Sequence, residues 1–191
     1  MRSQRRCLPV ADIEKKIIRK GDIHFAQPAM ISVTQTTEYG TVYSPEHLKE
    51  IAALAHKHGA LFMTDGTQVA GKIPVDVKEL GIDLMAFTAH KMYGPKGVGA
   101  LYIRRGHRIR SFFDGGSQEH GKRGGTYNVP AIVGFGKAAE MAVANLEAEN
   151  RRLQLLRDRL IDAVLTTIDR VWITGSRNHR LSNNVHICVE G

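Results

Sequence analysis

The sequence is poor in several things, and each shortage excludes a class of function. Its two cysteines, Cys7 and Cys188, lie far apart and form no metal-ligand spacing. They point to no zinc or other metal site and fit a reducing, cytoplasmic setting. Aromatic residues make up only 6% of the chain, which argues against a base-stacking surface. No apolar run approaches the roughly 20 residues that span a bilayer, so no membrane segment is expected. Met1 to Arg6 are basic, but no apolar signal core follows them, and Asp12 and Glu14 come too early for an organelle transit peptide. Neither an internal repeat nor a low-complexity segment is apparent.

What is present describes a globular protein. Hydrophobic residues are 42% and charged residues 24% of 191, enough for one domain, or for one domain and part of another. The net charge is +8, but the cations are spread among Arg5, Lys15, Arg104, Arg108, the Arg151–Arg159 helix and others. No nucleic-acid motif accompanies them, so they read as solvated faces, with no nucleic acid as partner.

Apolar spacing of Ile13, Ile17 and Ile18 predicts a helix from Ala11 to Lys20. Met30 to Thr34 alternates as a strand does. Ser44 as N-cap, Pro45 in the first helical position and Glu46 in the first turn open a helix that Gly59 closes. Ala60 to Thr64 is the next strand, so these elements form a βαβ unit with parallel pairing. Val75 to Leu80 reads as a short helical turn. A buried strand follows Asp83, and Leu101 to Arg104 is another that pairs antiparallel through a glycine loop. Residues 105–128 form a long Gly-rich, charged loop of the kind that is functional or wraps a partner. Pro130 to about Ile168 is helical, with small residues early and charges after Glu147. A domain boundary is therefore placed at 147, crossed by that helix: 1–147 is one unit and 148–191 opens another. Arg170 to Thr174 and Asn184 to Val189 are two strands of this second unit.

The chemistry centres on Thr88-Ala89-His90-Lys91-Met92-Tyr93-Gly94-Pro95-Lys96-Gly97. A lysine just past the end of a buried strand sits where open α/β sheets bind ligands. Partial desolvation favours its neutral amine, which forms a Schiff base with a carbonyl. Gly94 to Gly99 lacks the Gly-Lys-Ser/Thr ending of a Walker A loop and leads into a strand. Asp65 ends the preceding strand, with Gln68 three residues on. A carboxylate at a pyridinium nitrogen and a lysine Schiff base are the protein groups that pyridoxal phosphate requires. Taken singly, Lys91 is also compatible with a solvated loop lysine, His90 with a strand-end hydrogen-bonder and Asp65 with a turn cap.

Asp65-Gly66-Thr67-Gln68, the Thr88–Gly97 stretch and Gly115-Gly116-Ser117-Gln118-Glu119-His120-Gly121-Lys122-Arg123-Gly124-Gly125-Thr126 together resemble the cysteine desulfurases. Those are class V aminotransferase-like, fold type I enzymes that use pyridoxal 5'-phosphate. The resemblance implies an α/β fold: part of the large cofactor-binding domain, with a mainly parallel sheet, and the start of the small domain. It implies Lys91 as the covalent attachment point and carrier of the substrate Cα proton, Asp65 at the ring nitrogen and Gln68 at the phenolic oxygen. Thr88 and His90 would contact the phosphate, with His90 also assisting proton transfer. Thr126 would reach the phosphate of a neighbouring subunit, making a homodimer. The implied reaction takes sulfur from L-cysteine or a related amino acid and passes it to an acceptor protein, for iron–sulfur clusters or thio-cofactors.

Residues 29–66 resemble instead the threonine aldolase and β-eliminating lyase family, with Thr36 and Thr37 where desulfurases carry asparagines. That leaves β-elimination or retro-aldol cleavage as an alternative. No counterpart of an upstream glycine-rich phosphate loop precedes residue 29, and no position matches the nucleophilic cysteine or the substrate-carboxylate arginine. The sequence therefore reads as partial, and a second alternative is an incomplete fragment that serves only in dimerisation or scaffolding. Cys188 lies in an apolar alternation and reads as a core residue, while Cys7 near Arg5 and Arg6 reads as a free thiol.

Overall fold

A computed structural model describes residues 7–191, so Arg5 and Arg6 lie outside the described residues. Its centre is a four-stranded sheet of β1 (Met30–Thr34), β2 (Leu61–Asp65), β3 (Leu84–Thr88) and β4 (Gly99–Ile103), hydrogen-bonded in that order. β1, β2 and β3 run parallel, while β4 returns antiparallel along β3. The fold class is α/β with a mixed, mostly parallel sheet, as the sequence pattern requires. Thr34 pairs with Asp65 and Asp65 with Ala86, so the C-terminal ends of the three parallel strands lie at one level.

Between β1 and β2 runs α2 (Pro45–Lys57), after a first short helix, α1 (Val10–Glu14). Ser44 caps α2 by accepting the His47 N–H at 3.2 Å, which satisfies one of the orphan donors of the first turn. Leu48, Ile51, Ala52, Leu54 and Ala55 form its buried face. Ile51, Phe62 and Ile82 are fully buried where this face meets the sheet. Each such side chain contributes about 1.5–3 kcal/mol relative to exposure.

Two helical expectations change. The first helix stops at Glu14 instead of Lys20, and the chain continues in single turns, Lys16 N–H to Ile13 O and Ile17 N–H to Glu14 O. Only Ile13 is buried there, and Ile18 is half exposed, so too little apolar surface is anchored to propagate a costly helix. The long C-terminal helix is in fact two, α3 (Val129–Ala144) and α4 (Leu146–Thr167). They meet at Asn145, whose backbone leaves helical geometry (φ −105°, ψ 7°) while its N–H still donates to the Met141 carbonyl at 3.2 Å and its side-chain amide donates to the same oxygen at 2.8 Å. The segment from Val75 to Leu80 is a turn in which Asp76 Oδ1 accepts from both Lys78 N and Glu79 N.

The glycine-rich arm carries a two-stranded ribbon, β5 (Ser117–Gln118) with β6 (Arg123–Gly124). β7 (Val171–Ile173) and β8 (Ile187–Val189) pair antiparallel after α4. The loop joining them folds back onto the segment after β1: Val42 N donates to His179 O, Leu181 N to Gly40 O, and Ser176 N to Thr41 Oγ1. Among the described residues no helix is long and apolar enough to cross a membrane.

Candidate active site

The candidate residues follow from strand ends. Asp65 is the last residue of β2 and is half-buried. Its Oδ1 accepts the Thr67 N–H at 2.9 Å, a local turn of the kind Asp favours, and its Oδ2 takes no hydrogen bond among the described residues. Gly66 follows because β3 crowds it: a Cβ there would sit 2.1 Å from the Met85 Cε. One strand over, Thr88 ends β3 and a single 3-10 turn, Ala89–Met92, carries His90 and Lys91. Ala89 and Met92 are the buried pair of that turn, which leaves His90 exposed and Lys91 half-buried.

Thr88 Oγ1 donates to Val98 O at 3.2 Å and lies 3.0 Å from His90 Nδ1. Lys91 makes no hydrogen bond or ion pair among the described residues. Lys91 lines a 450 Å³ cavity together with Lys72, Met92, Ala142, Leu153 and Asn183. Lys72 donates to Gln68 O at 2.9 Å. Burial, and after it the charge of Lys91, hold its pKa below the usual lysine value.

Asp65 and Gln68 line a second cavity of 340 Å³, walled also by Thr36, Thr37, Asn183 and Asn184. Asp65 and Gln68 thus share one cavity and Lys91 lines another, with Asn183 common to both linings, while Thr88 and His90 line neither. Thr126 lies apart, exposed on the arm, in a groove along β4. Neither cysteine belongs to these cavities. Cys7 is half-buried, its Sγ donating to Val42 O at 3.6 Å, and burial pushes its thiol pKa up, which disfavours the thiolate. Cys188 is half-buried in β8.

Sequence reasoning missed Lys72 and Asn183. Lys72 looks like a surface lysine on a turn, and its site contact through Asn150 spans 78 residues. Asn183 sits in a polar loop whose only local reading is a turn.

Comparison with known proteins bears on the same residues. Cysteine desulfurase IscS of Dictyoglomus turgidum is 45% identical over 181 residues, covering 93% of this chain and 44% of that protein. Among solved structures, a NifS-like protein superposes with a TM-score of 0.82 at 32% identity, covering 94% of this chain and 47% of that one. SspA in complex with cysteine superposes with a TM-score of 0.74 at 29% identity, covering 96% and 48%. The chain spans about two fifths of the length of the curated relatives it matches. A model of the family described as aminotransferase class-V matches residues 23–191, including 29–66, where the sequence also resembles threonine aldolases. Fold, strand-end chemistry and this match agree, and the chain belongs to the aminotransferase class-V family.

Proposed function

We propose that the polypeptide serves in removal of sulfur from L-cysteine, with transfer to an acceptor, using pyridoxal phosphate. The family is pyridoxal-phosphate-dependent, and the relatives that match most of this chain are cysteine desulfurases. One observation carries the reading: a carboxylate with a free oxygen ends β2, and an unpaired amine follows the end of β3 beside it. This donor set fits pyridoxal phosphate, which needs a carboxylate at its ring nitrogen and an amine at its aldehyde.

When bound, the group supplies an electron sink that makes bonds at the amino-acid Cα labile. Asp65 Oδ2 would hold the proton on the ring nitrogen, and Gln68 would bind the phenolic oxygen. Lys91 Nζ would be the attachment point and would then move the substrate Cα proton. His90 would assist that proton transfer, and Thr88 with His90 would face the phosphate. Thr126, exposed on the arm, would serve the phosphate of a second copy, giving a homodimer. We assign residues 1–147 to the large domain and 148–191 to the start of the small one.

The test is the visible spectrum of the purified chain with added pyridoxal phosphate, followed by borohydride and peptide mapping. Labelling at Lys91 is expected, and Lys91→Ala should abolish it while leaving the thermal melt unchanged. Label retained in that variant would sink the assignment. Thr36 and Thr37 on the wall of the Asp65 cavity favour a second reading, β-elimination. Alanine as the product from cysteine supports desulfuration; pyruvate supports elimination.

A further inference from the structure

Asn183 is the residue common to the linings of the carboxylate cavity and the amine cavity. Its neighbours on both sides are tied down. Ser182 Oγ donates to Asn150 Oδ1 at 2.6 Å, and Asn150 Nδ2 donates to Lys72 O at 2.6 Å. Lys72 in turn reaches Gln68 O at 2.9 Å. This chain runs from α4 to the turn that follows Asp65.

On the other side, Asn184 Oδ1 accepts from the Arg180 guanidinium at 2.5 Å. The Asn184 side chain lies against Gly40, where φ is +75° and a Cβ would come within 1.9 Å of Asn184 Oδ1. Buried Arg157 donates to the carbonyls of Arg180 and Leu181 at 3.4 and 3.3 Å, fixing the loop from beneath. Between these anchors the Asn183 carboxamide makes no hydrogen bond among the described residues, and the residue is exposed. A polar side chain on a doubly anchored loop has lost freedom already, so a ligand bound there meets a preorganised donor.

We propose that Asn183 is a binding residue whose amide N–H donates to an acceptor oxygen of pyridoxal phosphate at the junction of the two cavities. The inference rests on the functional reading above and adds to it a contact from the loop that follows α4. The phenolic oxygen of pyridoxal phosphate neighbours its aldehyde carbon, so it is the oxygen that a group held at once by Asp65 and Lys91 would offer to Asn183. Asn183 then joins Gln68 as a second amide there. Ser182 and Asn150 are positioning residues that act through it.

The experiment is a titration of the purified chain with pyridoxal phosphate, read by visible absorbance, in wild type, Asn183→Ala and Asn183→Asp. Loss of one hydrogen bond to a charged or strongly polar oxygen predicts about tenfold weaker binding for Asn183→Ala. Asn183→Asp, similar in size but acceptor-only, should bind at least as weakly. Thermal melts should coincide, because the residue is exposed. Ser182→Ala should weaken binding less than Asn183→Ala does. Binding by Asn183→Ala or Asn183→Asp equal to wild type overturns this inference alone. A wild-type chain that takes up no pyridoxal phosphate overturns it together with the functional reading.

Discussion

Two carboxylates, Asp65 at the end of β2 and Asp83 just before β3, stand at opposite ends of the sheet, and their surroundings are opposite too. Asp83, just before β3, is 1% exposed and saturated with donors. Phe62 N and His56 Nε2 each lie 2.8 Å from its Oδ2, while His107 Nε2 at 3.2 Å and Arg104 at 3.3 Å face Oδ1. It joins α2, β2, β3 and the segment after β4 in one knot. Asp65 has a single local partner and an open oxygen in a cavity. One end of the sheet has its polar valences closed, and the other leaves them for a ligand. A carboxylate that satisfies itself inside the protein is structural; one held half-satisfied at a strand end is available for chemistry.

Breaking the closed end should have the largest effect on stability. Asp83→Ala leaves Arg104 and a buried backbone N–H without their acceptor, and we expect a loss of about 3–5 kcal/mol in denaturant unfolding. Acid sharpens the same contrast. Burial alone would raise the Asp83 pKa, but the Phe62 N–H, His56 and Arg104 together hold it below the usual carboxylate value. Its stabilisation is therefore fully present above the unfolded value of about 3.9 and is lost as pH falls through the folded value. A pH series of thermal melts should show an acid limb that Asp83→Asn flattens.

At the open end the expected change is in binding. Asp65→Asn should weaken pyridoxal phosphate uptake at least tenfold, read by visible titration, yet move the unfolding free energy by no more than about 0.5 kcal/mol. A large loss of stability in Asp65→Asn would remove the distinction between the two ends. Smallest of all should be Cys7→Ser. Its thiol is partly buried, makes one long contact to Val42 O and lines neither candidate cavity, so pyridoxal phosphate binding should stay at the wild-type value.

Much of this arrangement was legible in the residues. Ser44-Pro45-Glu46 and Gly59 bracket α2 because capping and left-handed turns are local chemistry. Asp65, His90 and Lys91 could be found because each follows an apolar run that must be a buried strand. The extent of the first helix was misread, because apolar spacing at Ile17 and Ile18 says nothing about whether a surface exists to receive them. The break at Asn145 was missed because it is a change in one residue's dihedrals, with the Asn145 N–H to Met141 O and Glu149 N–H to Asn145 O bonds continuing across it, and periodicity does not register so local a departure.

The sequence by itself determined the α/β class, the parallel pairing of β1 with β2 and the identity of the strand-end groups. Hydrophobic period, caps and glycine positions act over a few residues and are written directly in the chain. Only the tertiary structure decided that Asp83 is a buried knot, that Asp65 and Lys91 line adjoining cavities, and that Asn183 stands between them. Those facts rest on contacts such as Asn150 to Lys72 and Gly40 to Asn184, between residues far apart in the chain. Packing brings such pairs together, and no local pattern encodes the meeting.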